Sequence, residues 1–79
     1  MTIEKLKQII STQMGIPAEK ITDQSDLIND LGADSLDLTE LVMTIEQAFN
    51  IMIEEDEYHN AHTVETIVAL IDSKLTNWF

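Results

Sequence analysis

The chain has 79 residues, 44% of them apolar, with no cysteine, no arginine and a formal net charge of −11. That length holds one domain, residues 1–79, and excludes a second core, while the lack of cysteine excludes disulfides and any thiol chemistry of the protein's own. Fifteen acids against four lysines exclude nucleic acid and anionic membrane as partners, whose phosphates would be repelled, and favour basic protein surfaces or divalent cations.

Thr2 is placed to cap a first helix, in which Ile3, Leu6, Ile9, Ile10 and Met14 recur at helical spacing. Gly15 and Pro17 stop it, glycine just past the end and proline where a helix cannot continue. From Ile16 to Asp34 the apolar pattern fades among Asp, Asn and Ser, so a long connection is expected, with one helical turn around Asp26–Asp30. A connection of that length in so small a domain is usually functional. A second helix is predicted from Ser35 to Asn50, with Leu38, Leu41, Val42, Ile45, Ala48 and Phe49 on its apolar face. Ile51-Met52-Ile53 forms a short apolar link, and Glu54 to Asn60 holds a short helix. Thr63 caps the last helix, whose stripe is Val64, Ile67, Val68, Ile71 and Leu75. The fold class that follows is all-α: a small antiparallel bundle of three main helices plus one short helix, with a long loop between the first and second.

No apolar run approaches the roughly 20 residues that span a bilayer, and no basic-then-apolar leader opens the chain. A soluble protein is expected, cytoplasmic or organellar after removal of a transit peptide. Thirteen of the acids lie between Lys20 and Lys74, a stretch whose only other basic side chains are His59 and His62.

The most distinctive local feature is Ser35, set between Asp34 and Leu36-Asp37 at the predicted start of the second helix. It lacks the G-x-S-x-G context of a hydrolase nucleophile and has no histidine nearby in sequence, so catalysis is not expected. An EF-hand fails on register: counted from Asp30, the twelfth position is Leu41 where a bidentate glutamate is required. Glu55, His59 and His62 have metal-compatible spacing, but such residues are more often exposed polar groups of a helix, and no metal site is assigned. Helix capping alone, or regulatory phosphorylation, would also account for a serine here.

The octapeptide Asp30-Leu31-Gly32-Ala33-Asp34-Ser35-Leu36-Asp37 resembles the attachment motif of acyl carrier proteins, the small acidic carriers of dissociated fatty-acid synthesis. Glu40-Leu41-Val42-Met43 and Phe49 resemble that family's second helix, and Thr63-Val64 the start of its last, so the resemblance covers essentially the whole chain. It implies that the chain is not itself an enzyme. Ser35 would carry a 4′-phosphopantetheine arm donated by coenzyme A through a phosphopantetheinyl transferase, which supplies the base and metal ion the carrier lacks. The arm would bring the thiol that the cysteine-free chain does not have and hold acyl chains as thioesters.

The resemblance further implies a monomer that serves fatty-acid-synthesis enzymes and acyltransferases through their basic patches, without inserting into membranes. Their docking face would comprise Asp34, Leu36, Asp37, Glu40, Met43 and Glu46, and an interior acyl pocket would be lined by Leu27, Val42, Ile45, Ile53 and Ala61. Four positions depart from the family pattern. Glu54 stands where proline is usual, which predicts a less rigid start to the third helix. Tyr58 replaces a small residue and Ala61 a larger aliphatic one, which alters the pocket, and Thr39 replaces a valine on the docking face. These departures keep open a specialised carrier for polyketide, peptide-synthase or D-alanyl transfer. An acidic cation-binding or interaction protein is the reading from another class.

Overall fold

The structure is a computed structural model that describes residues 2–59 and 62–76. Among these residues four α-helices follow one another: α1 (Thr2–Met14), α2 (Ser35–Phe49), α3 (Glu55–Tyr58) and α4 (Val64–Thr76), with a 3-10 turn at Ala18–Lys20 inside the α1–α2 connection. The predicted all-α class and helix order are those observed. α1 packs against both α2 and α4, and the core is built from the stripes read in the sequence: Leu6 and Ile10 of α1, Leu38, Leu41, Val42 and Ile45 of α2, Val64, Ile67 and Ile71 of α4. No helix among the described residues is long and apolar enough to cross a membrane.

Helix ends follow local chemistry. α1 closes on Gly15 at φ 69°, whose amide, with that of Ile16, donates to the Ser11 carbonyl. α2 closes one residue earlier than expected, on Asn50 in the left-handed region at φ 57°, whose amide donates to the Glu46 carbonyl. No basic residue occupies the last turn of α2. Lys5 of α1 supplies the missing cation, its Nζ donating to the Ala48 carbonyl at 3.3 Å and lying 5.0 Å from the centre of the Phe49 ring. Thr2 differs from expectation: it is the first residue of α1 rather than its cap, and its hydroxyl donates across to Asp72 of α4 at 2.7 Å.

The long connection is irregular yet well anchored, because Ile21, Leu27 and Ala33 are buried along it. The expected helical turn is present, with the Asp30 and Leu31 amides donating to the Asp26 carbonyl. The connection also caps α4. Carbonyls of Ser25 and Asp23 accept the first two helical amides, Val64 and Glu65, at 2.9 Å each, and Thr63 Oγ1 accepts the Thr66 amide as the cap read from the sequence. An isolated antiparallel bridge between Asp26 and Thr63 completes the junction, with the Leu27 amide donating to the His62 carbonyl. Within the 19 residues from Ile16 to Asp34, Asp23–Leu27 thus hold the start of α4, and the connection ends on Asp34, next to the start of α2.

Candidate functional site

The serine at the head of α2 is not the cap. Asp34 is, in extended backbone conformation, with its Oδ1 accepting the Asp37 amide at 2.9 Å while Asp37 Oδ2 accepts the Asp34 amide at 3.3 Å. This reciprocal capping box places Ser35 at the first helical position. Its side chain is exposed, and among the described residues its hydroxyl makes no hydrogen bond. Among the described residues no carboxylate or imidazole is hydrogen-bonded to it, so the hydroxyl is presented without an adjacent base. The amides of Ser35 and Leu36, the first two of the helix, also have no acceptor among the described residues.

From that point the exposed strip of α2 runs along the helix. Leu36 is 65% exposed and Met43 53%, both large apolar side chains facing solvent, and Asp34, Asp37, Thr39 and Glu40 are exposed around them. Thr39 turns its hydroxyl inward to the Ser35 carbonyl at 2.9 Å. Five of the six residues expected on the docking face are thus gathered on one surface. Glu46 differs: it is half-buried, and its Oε2 accepts the Ile53 amide at 2.8 Å.

Of the residues expected to line an interior pocket, Leu27, Val42, Ile45 and Ile53 converge in the core, each 8% exposed or less. Ala61 lies outside the described residues. Tyr58 is buried in the same cluster, so the larger residue fills core volume rather than standing outside it. An open groove of about 630 Å³ lies to one side, lined by Phe49, Ile51, Met52, Leu70, Lys74 and Leu75 among others, and does not include the four core residues.

The start of α3 is also unlike expectation. With glutamate in place of proline, Glu54 has an amide to donate, and Glu57 Oε1 accepts it at 2.8 Å. Lys74 of α4 donates to the same oxygen at 2.9 Å. The Glu54 amide first, and Lys74 second, hold the Glu57 carboxyl below its ordinary range despite partial burial. The segment is tied where looseness was expected. The E-x-x-E spacing of Glu54 and Glu57 is a legible signal for that tie.

A comparable network steadies the long connection. Asp26 Oδ1 accepts the amides of Ile28 and Asn29 and pairs with His62 Nδ1 at 3.0 Å. The Asn29 amide leads the causes that lower its pKa, with the Ile28 amide and His62 adding to it against burial. His62 is thereby turned to the connection, and no group of three or more His, Cys, Asp or Glu among the described residues is arranged to hold a metal ion.

The family described as "Phosphopantetheine attachment site" matches residues 4–71. The acyl carrier protein of Nitratidesulfovibrio vulgaris strain Miyazaki F is 42% identical over 90% of this chain and 93% of its own length. That of Buchnera aphidicola is 46% identical over 86% and 87%. The chain belongs to the acyl carrier protein family. Among solved structures, the Enterococcus faecalis acyl carrier protein superposes with a TM-score of 0.79 at 33% identity, covering 92% of each chain. As a family member the chain is a phosphopantetheine-bearing carrier of acyl groups and not an enzyme. Its partners are a phosphopantetheinyl transferase and enzymes of fatty-acid synthesis.

Proposed function

We propose that Ser35 is the residue to which the 4′-phosphopantetheine arm is joined, and that the exposed strip of α2 presents it to partner enzymes. The observation that carries this reading is the Ser35 hydroxyl, exposed and unbonded at the first position of a capped helix inside the matched region. The residues present suit a phosphodiester. The Ser35 and Leu36 amides point out of the helix start, where the helix dipole favours negative charge. The nearby carboxylates of Asp34 and Asp37 are each committed to the other's amide, which lessens their repulsion of a further anion. When bound, the arm supplies the thiol on which acyl groups are held as thioesters.

Asp34, Asp37 and Glu40 supply negative charge, and Leu36 and Met43 apolar contact, for partners bearing lysine and arginine. Such exposed charges steer encounter and orient the pair more than they hold it, which suits a carrier that must leave each enzyme quickly. Leu27, Val42, Ile45 and Ile53 form the interior that shelters an acyl chain. Each methylene moved from water into that interior gains about 0.8 kcal/mol before the cost of parting the helices. The chain works as a single-domain monomer in the cytoplasm, a reading supported by its net charge of −11, which keeps copies apart in solution.

Incubation with coenzyme A and a phosphopantetheinyl transferase, followed by intact-mass measurement, tests this assignment. The expected result is a gain of one phosphopantetheine group in the unaltered chain and none in Ser35→Ala. An undiminished gain in the variant would place the arm elsewhere.

A further inference from the structure

The link between α2 and α3 is tied at two consecutive amides by carboxylates from two different helices. Glu46 of α2 accepts from Ile53, and Glu57 of α3 accepts from Glu54. Glu46 does more than that. Its main-chain carbonyl also takes the amides of Asn50 and Ile51, so one residue receives three of the four N–H groups between Asn50 and Ile53. Between these ties burial changes sharply from one residue to the next. Met52 faces outward at 75% exposure, and Ile53 faces inward at 8%. The direction of Ile53 therefore depends on where its amide is held.

We propose that Glu46 is a positioning residue whose carboxylate latches the link onto α2, so that Ile53 closes the interior beside Val42 and Ile45, and whose release opens the way for an acyl chain. This rests on the carrier reading above. The burial of Glu46 sets it apart from the exposed acids at the head of the helix. A carboxylate turned to a main-chain amide at 2.8 Å and shielded on one side is placed to hold a backbone segment, whereas a docking charge needs open water around it. A single carboxylate–amide bond is also weak enough to open on demand. Its loss shifts a local equilibrium by about tenfold. The Glu57–Lys74 pair anchors the far end of the link to α4, so release of Glu46 swings Ile53 about Glu54 rather than freeing the whole segment.

Two variants separate the latch from charge and from general loosening. Glu46→Gln keeps a carbonyl oxygen for the Ile53 amide and loses the charge; Glu46→Ala loses both. Hydrogen exchange followed by NMR on the free chain reads the latch, with the Ile45 amide as the measure of global opening. Ile53 is expected to exchange about tenfold faster relative to Ile45 in Glu46→Ala and to stay within about twofold of the unaltered chain in Glu46→Gln. Equal ratios in all three proteins overturn the latch. The cargo step is read on octanoyl-loaded chains, prepared from octanoyl-coenzyme A and the transferase, by the rate at which hydroxylamine cleaves the thioester. Faster cleavage in Glu46→Ala, restored in Glu46→Gln, supports the gate; identical rates in all three overturn it. Cleavage of the unaltered loaded chain as fast as free octanoyl-pantetheine overturns the sheltering interior instead, and the exchange ratios then decide the latch by themselves.

Discussion

The two ends of α2 use the same bond for opposite purposes. At its head, Asp34 and Asp37 bond each other's amides in the open, and the neighbouring Leu36 is 65% exposed. At its tail, Glu46 bonds an amide from a half-buried position, and the residue it holds, Ile53, is 8% exposed. In water a carboxylate–amide bond replaces one made with solvent and leaves its surroundings free to meet another molecule. Shielded, the same bond fixes which way a core side chain points. On the roles proposed for its two ends, one helix separates a presenting end, where the serine stands clear, from a closing end, where Ile53 is held inward.

The largest effect that sharpens this contrast comes from trimming one apolar residue at each end. Ile53→Ala should cost about 2–4 kcal/mol of unfolding free energy in urea titrations, because it leaves a cavity in packed core. Leu36→Ala, which empties only water-exposed space, should stay within about 0.5 kcal/mol. Comparable losses would mean that Ile53 is not seated as described.

A smaller effect concerns pH. Asp26, within the connection that leads to the presenting end, and Glu57, at the closing end, are both held below their ordinary values of 3.8 and 4.5. A carboxyl lowered by folding contributes stability that is complete above its ordinary value and is lost as pH falls through the lowered one. Acidification also relieves repulsion within a chain of net charge −11, so the informative quantity is a difference. The melting temperature of the unaltered chain should exceed that of an Asp26→Asn, Glu57→Gln double variant by a few degrees at about pH 6, and the gap should close towards about pH 3. A gap independent of pH would assign the loss to packing instead.

Much of this was legible in the sequence, and what was not has a physical reason. The three long helices announced themselves through apolar spacing, and Asp34-Ser35-Leu36-Asp37 marked the presenting end, although which residue caps the helix there required geometry: Asp34 and Ser35 are both good caps, and only the pairing of Asp34 with Asp37 decides between them. The closing end was harder to read. Glu46 continues a strip of exposed acids, and nothing in its spacing tells that its side chain folds towards Ile53, seven residues on. The Asp26–His62 pair joins positions 36 apart, a distance at which periodicity carries no information. The looseness expected from Glu54 came from the lost rigidity of proline; the amide that glutamate gains in exchange, and Glu57 accepts, was the overlooked half of that substitution.

The division of labour along α2 is tested most directly by the initial rate of arm transfer to the apo chain at low salt, measured for two variants side by side. Neutralising the presenting end with Asp37→Asn and Glu40→Gln should slow transfer about tenfold, with the deficit shrinking as salt screens the charges. Glu46→Ala, at the closing end, should transfer within about twofold of the unaltered chain. Equal slowing by both changes would contradict the separation and return Glu46 to the docking face.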